Sequence, residues 1–117
     1  MKQFATAATL VIGLSLAAGQ AWALDTGDAQ AGKAAFSQNG CMACHGAGGH
    51  STNGQFPKLA GQYADYIVHA LTQYKSGKRK NAIMNGQAAN LSTRDMENIA
   101  AYLASQEKTT LVTPKRW

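Results

Sequence analysis

Two cysteines occur in the whole chain, and they stand three positions apart with a histidine directly behind the second: Cys41, Cys44 and His45, inside GCMACHGAGG at 40–49. No other feature restricts the fold so sharply. Two thiols and an imidazole within five residues share one purpose, and the two residues between the thiols set their spacing. What two cysteines can mean depends first on the compartment.

The chain opens with Lys2, runs apolar through FATAATLVIGLSLAAG and reaches Ala21, Trp22 and Ala23. A basic start, a short apolar stretch and a small-x-small exit predict a secretory leader over residues 1–23, cut after Ala23. The stretch is short for a membrane span, which needs about 20 apolar residues. No cysteine follows closely enough to carry a lipid anchor. The expectation is an exported, soluble domain over 24–117, periplasmic in a bacterium, with no stable membrane insertion after cleavage. Thiols there face an oxidising environment.

What remains is enough for one small domain, with no internal repeat or linker. Chains of this size bury a modest fraction of their surface and commonly need a staple: a disulfide, a metal or a large cofactor. The formal net charge of +5 becomes +4 without Lys2. Such mild basicity suits an acidic protein partner or a membrane surface and is too weak to indicate nucleic acid.

Helical periodicity dominates, which predicts an all-α domain. A first helix is expected over 28–38, with Asp28 in its first turn and Asn39-Gly40 ending it. Gly32 and Phe36 lie one turn apart on a shared face. A second is expected over 62–76, with Tyr63, Ile67, Leu71 and Tyr74 as its stripe and Gly77 closing it. A third starts at Ser92, where Asp95 completes a capping-box pattern, and sets Met96, Ile99, Ala100 and Leu103 on one face. Two long glycine-bearing stretches, GAGGHSTNGQFPKLAG and GKRKNAIMNGQAAN, are expected as loops. Loops of that length in a small domain are usually functional. The alternating tail TTLVT is the one strand-like run.

C-x-x-C-H reads as a c-type haem attachment site. Two thiols add across the two vinyl groups of one haem, and the adjacent histidine is held where its imidazole can bind iron. A thioredoxin-like dithiol would follow a strand, and none is predicted before Cys41. A zinc site would want a paired histidine motif that His50 and His69 do not form. A structural disulfide lacks any need for the histidine.

The sixth position on the iron separates a carrier from a catalyst. Met1 falls in the leader, and Met42 is trapped inside the attachment turn. Met96 lies on the core face of the third helix. His50 is too near His45 to cross the ring, and His69 reads as a solvated helix residue. Met84, followed by the turn-forming pair Asn85-Gly86, is the expected ligand. Tyr63, Tyr66 and Tyr74 read as packing rather than haem-propionate ligands. The basic run Lys75, Lys78, Arg79 and Lys80 reads equally as a solvated helix end or a docking patch.

Over residues 28–106 the chain resembles a class I c-type cytochrome, nearest the bacterial cytochrome c4/c553 branch. The resemblance is carried by CMACHG, FPKLAGQ at 56–62, GKRKNAIMNG and LSTRDMENIAAYLASQ. It implies the class I cytochrome c fold: three to four helices and long loops around one covalent haem c. Cys41 and Cys44 would form the thioether links, with His45 and Met84 as axial iron ligands. The carbonyl of Pro57 would accept the ring N–H of His45, which raises ligand basicity. Gly32, Phe36 and Tyr102 would mark the crossing of the first and last helices. Relatives in this branch often carry two such units; this sequence has one.

With histidine and methionine both bound, the iron offers substrate no vacancy, and the neutral thioether favours the reduced state. The resemblance therefore implies a periplasmic one-electron carrier rather than an enzyme, in a respiratory or dehydrogenase-linked chain. Its partners would be a redox donor and acceptor, a terminal oxidase or a dehydrogenase among them, met as a monomer or weak oligomer. Two alternatives stay open: a cytochrome subunit of a periplasmic oxidoreductase, or an open-site haem enzyme or sensor without Met84 on the iron.

Overall fold

The computed structural model describes residues 27–108. The leader expected over 1–23 and the run TTLVT lie outside them. Among the described residues there is no strand. Five α-helices follow in order: α1 (Ala29–Gln38), α2 (Cys41–His45), α3 (Ala64–Lys75), α4 (Ala82–Ala89) and α5 (Thr93–Ala104), with a 3₁₀ turn at Ala47–Gly49. Three to four helices were expected from periodicity and resemblance. The two short elements α2 and α4 make the difference. None of these helices is long and apolar enough to cross a membrane.

Helix α1 starts one residue later than expected because Asp28 is its cap rather than part of its first turn. The carboxylate accepts the N–H groups of Gln30 at 2.7 Å and Ala31 at 3.1 Å. At α5 the expected capping box is present: Ser92 Oγ accepts Asp95 N–H, and the Asp95 carboxylate accepts Ser92 N–H at 2.9 Å. Those bonds from Ser92 hold the Asp95 carboxyl below the usual carboxylate range. Their stabilisation is present above that range and fades as pH falls through the lowered value.

Helix α3 runs shorter than expected. Tyr63 is its cap, with extended backbone, and is 68% exposed. It leaves the stripe, and Lys108 lies over its ring instead, 5.0 Å from the centroid. Ile67 is buried, Leu71 packs against the core, and Gly77 takes φ 74° in the closing turn. The stretch 77–90, expected as a loop, contains α4. Its cap is Asn81, and Asn85-Gly86 is not a turn but the middle of that helix.

The frame is the crossing of α1 over α5. A Cβ at Gly32 would lie 1.9 Å from the carbonyl oxygen of Asn98 and 2.9 Å from Tyr102 Cβ. One turn on, the Phe36 and Tyr102 rings meet at 5.7 Å. Gly32→Ala should therefore destabilise the protein by about 1–3 kcal/mol through forced separation of the helices. This holds although alanine is the better helix former. A denaturant midpoint unchanged or raised in Gly32→Ala would show that the crossing has slack.

Candidate haem site

The thiols and the histidine come from α2, a single helical turn entered through Gly40 (φ 72°) and left through Gly46 (φ 77°). Both glycines adopt left-handed backbone that other residues reach at a cost. This allows the turn to stand between α1 and the following 3₁₀ turn. Cys41 and Cys44 are not joined in a disulfide. Burial pushes the Cys41 thiol up from its ordinary value, and neighbouring Cys44 adds to the rise. The imidazole of His45 is buried, 7% exposed, with Nδ1 2.9 Å from the carbonyl oxygen of Pro57. A carbonyl only accepts, so Nδ1 carries a proton, and in the neutral ring that tautomer places the lone pair on Nε2.

Pro57 is brought there by a strap over 56–61. Leu59 donates its N–H to the Gly49 carbonyl at 2.8 Å, and Gly61 donates to the Leu103 carbonyl at 2.8 Å. One end of the strap is tied behind the attachment turn and the other to α5. At Gly49 (φ 78°) an added Cβ would meet Leu103 Cδ2 at 2.8 Å, so the strap closes only over a glycine.

A cavity of about 320 Å³ opens between these elements. Cys41, Cys44, His45 and Pro57 line it, and so does Met84 from α4. Core residues Phe36, Ile67, Leu71, Leu91, Ile99 and Leu103 form part of the remaining wall, and polar side chains such as Gln55, Lys58, Gln62 and Gln87 form another. The expected site residues are thus brought together around one volume, from segments up to 43 positions apart in sequence (Cys41 to Met84). The other candidates are not. Met96 is 4% exposed in the core, with Thr72 Oγ1 3.9 Å from its sulfur. His69 is exposed on α3, Met42 is 42% exposed, and neither they nor His50 line the cavity. Met84 reaches the cavity from the first turn of a helix, where a loop was expected. The correction has a physical cause in the Asn81 cap, which accepts the Met84 N–H at 3.0 Å.

The basic run splits. Lys75 donates to the Leu91 carbonyl. Arg79 sits 4.8 Å over the Tyr74 ring and donates to Tyr66 Oη at 3.5 Å, and that bond raises its pKa. Lys78 and Lys80 are exposed. Arg79, Tyr66 and Tyr74 also line the cavity, a role for Arg79 that charge patterning alone did not signal. Asn81 and Asn85 were missed as well, although an asparagine directly before AIM is a helix-start signal.

This site is built for a large, flat, apolar group bonded at one edge and bound on its face. Two cysteine sulfurs and the His45 ring stand at the wall, and a thioether from another element shares the volume. Among the described residues no three His, Cys, Asp or Glu side chains converge as a bare metal site would need. The residues present therefore fit a covalent haem.

Comparison with known proteins agrees. The cytochrome c family profile matches residues 29–107. Cytochrome c4 of Pseudomonas aeruginosa is 48% identical over 81 residues, 69% of this chain and 39% of that protein. Cytochrome c-554(548) of Halomonas halodenitrificans is 40% identical over 84 residues, 69% of this chain and 99% of that protein. In the solved structure of cytochrome c4 from Acidithiobacillus ferrooxidans, 43% identical, a match with TM-score 0.63 covers 66% of this chain and 49% of that one. The chain thus spans under half of these cytochrome c4 proteins. On the family match and the shared fold, this chain belongs to the cytochrome c family, is similar to cytochrome c4 proteins, and carries covalently bound haem c.

Proposed function

We propose that this protein is a periplasmic one-electron carrier whose haem iron is held between His45 and Met84, with Cys41 and Cys44 as the thioether anchors. The observation that carries this reading is that both thiols, the His45 ring and the Met84 side chain line one cavity. Haem supplies the one-electron change between ferric and ferrous iron.

The chain's residues make that change easy to repeat. Cys41 and Cys44 fix the group at two points on one turn. The hydrogen bond to Pro57 holds the His45 ring in one tautomer and raises its basicity. Met84 offers a soft neutral sulfur that favours the reduced state. Phe36, Ile67, Ile99 and Leu103 give the cavity an apolar inner wall for the ring. Two protein ligands leave no position for substrate, so the site passes electrons without binding a reactant.

The cytochrome c4 structure from A. ferrooxidans supports a complex-induced tuning of electron transfer in that protein. For this chain the corresponding partners are redox proteins, one as donor and one as acceptor. Exposed Lys78 and Lys80 near the start of α4 favour a partner with an acidic surface.

The test is the reduced, untreated protein under carbon monoxide. Its visible spectrum should stay unchanged, and potentiometry should follow a single reversible one-electron step. Prompt carbon monoxide binding would overturn the carrier reading in favour of an open-site haem protein.

A further inference from the structure

Helix α4 presents Met84 to the cavity, yet little in its packing explains why it stays there. It has eight residues, its buried residue is Ala88, and Gly86 sits in its middle, while Ile83 and Gln87 line the cavity beside Met84. A helix this short is not stable by itself, and Ala88 lies beyond its first turn. Burial of α4 against the protein alone cannot fix Met84.

Directed hydrogen bonds can. At α5 the cap and the third helical residue satisfy each other, as Ser92 and Asp95 do. At α4 the cap Asn81 accepts the N–H of the third residue at 3.0 Å, but that residue is Met84, which cannot return the bond. The next residue returns it: Asn85 Oδ1 accepts the Asn81 N–H at 2.8 Å. Asn85 Nδ2 then donates to the Tyr74 carbonyl at 2.7 Å and the Arg79 carbonyl at 2.8 Å. Two carbonyls on one side of the amide and an N–H on the other admit a single orientation of the group. The capping box is displaced by one residue, which frees the position facing the cavity for a thioether. The spare amide protons tie the start of α4 to the end of α3.

Resting on the reading of Met84 as an iron ligand, we propose that Asn81 and Asn85 form a clasp that positions Met84 and sets how often it leaves the iron. Asn85 is the positioning residue of the pair. Asn85 does not line the cavity whereas Asn81 does; both bear on Met84 through the backbone on either side of it.

The test measures carbon monoxide binding to the reduced holoprotein and the far-red sulfur-to-iron band of the oxidised one. Asn85→Ala should raise the carbon monoxide association rate about tenfold or more, as expected for a detached state favoured by loss of two to three hydrogen bonds. Asn81→Ala should raise it less, and Asn81→Asp, which keeps the cap acceptor, should restore the wild-type rate. Ser92→Ala removes a cap of similar worth at α5 and should lower the melting temperature with no change in rate or band. That control separates positioning from general stability. If Asn85→Ala fails to fold, Asn81→Ala read against Asn81→Asp decides. Wild-type rates in Asn85→Ala and Asn81→Ala, with Met84→Ala open to carbon monoxide, would overturn the clasp alone. An unchanged Met84→Ala would instead overturn the ligand assignment beneath it.

Discussion

Cys41→Ala combined with Cys44→Ala is expected to leave a haem-free chain that is largely unfolded at room temperature. The core explains why. Among the described residues ten hydrophobic side chains are buried, and four of them are alanines, Ala35, Ala70, Ala88 and Ala100. Most of the larger ones, Phe36, Ile67, Leu91, Ile99 and Leu103, line the cavity and so depend on whatever fills it. Without the group these side chains face an open volume of about 320 Å³, and the burial they would gain against the group, roughly 25 cal/mol per Å² of apolar surface, is lost. A domain this small has roughly 4–12 kcal/mol of net stability in total. Binding of the group is then part of folding, as with structural metals. Far-UV circular dichroism and a thermal scan of the double mutant check this. Native-like helicity with a cooperative melt would mean that the protein core stands without its cofactor.

Met84→Ala should abolish the weak far-red band of the oxidised protein, lower the reduction potential and open the iron to carbon monoxide and cyanide. The soft thioether favours ferrous iron, so its removal favours ferric. Met96→Ala separates ligation from packing. Its side chain is buried in the core beside Thr72, and its truncation should cost about 2–5 kcal/mol of stability with the band intact. The reverse pattern would transfer the ligand role to Met96. Loss of the band in neither variant would leave His50 or His69 to supply the ligand, and neither lines the cavity.

The parts of this molecule legible in the sequence are those specified over a few consecutive residues. Cys41, Cys44 and His45 declare their chemistry by spacing alone. Ser92 and Asp95 announce a helix start because both partners of the capping box lie within one turn. The stripe Met96, Ile99, Ala100 and Leu103 is buried as its period requires. Gly32, Phe36 and Tyr102 were placed at the crossing by resemblance, and the absent Cβ at Gly32 gives that placement its physical reason.

What the tertiary structure alone decided depends on bonds between distant segments. Helix α4 was hidden because Asn85-Gly86 has the local preference of a turn, and eight residues give propensity too little to sum. The carbonyls of Tyr74 and Arg79, 11 and 6 positions before Asn85, override that preference. Tyr63 left its stripe because a cap residue takes extended backbone, which periodicity cannot register. The nearness of His45 to Pro57, 12 positions on, depends on Gly49 and Leu103 holding the two ends of the strap. Local spacing thus singled out Cys41, Cys44 and His45 as candidates, while Met84 came from elimination and resemblance. Their convergence on one cavity is a property of the packed chain, because closing each loop costs entropy that only the assembled contacts offset.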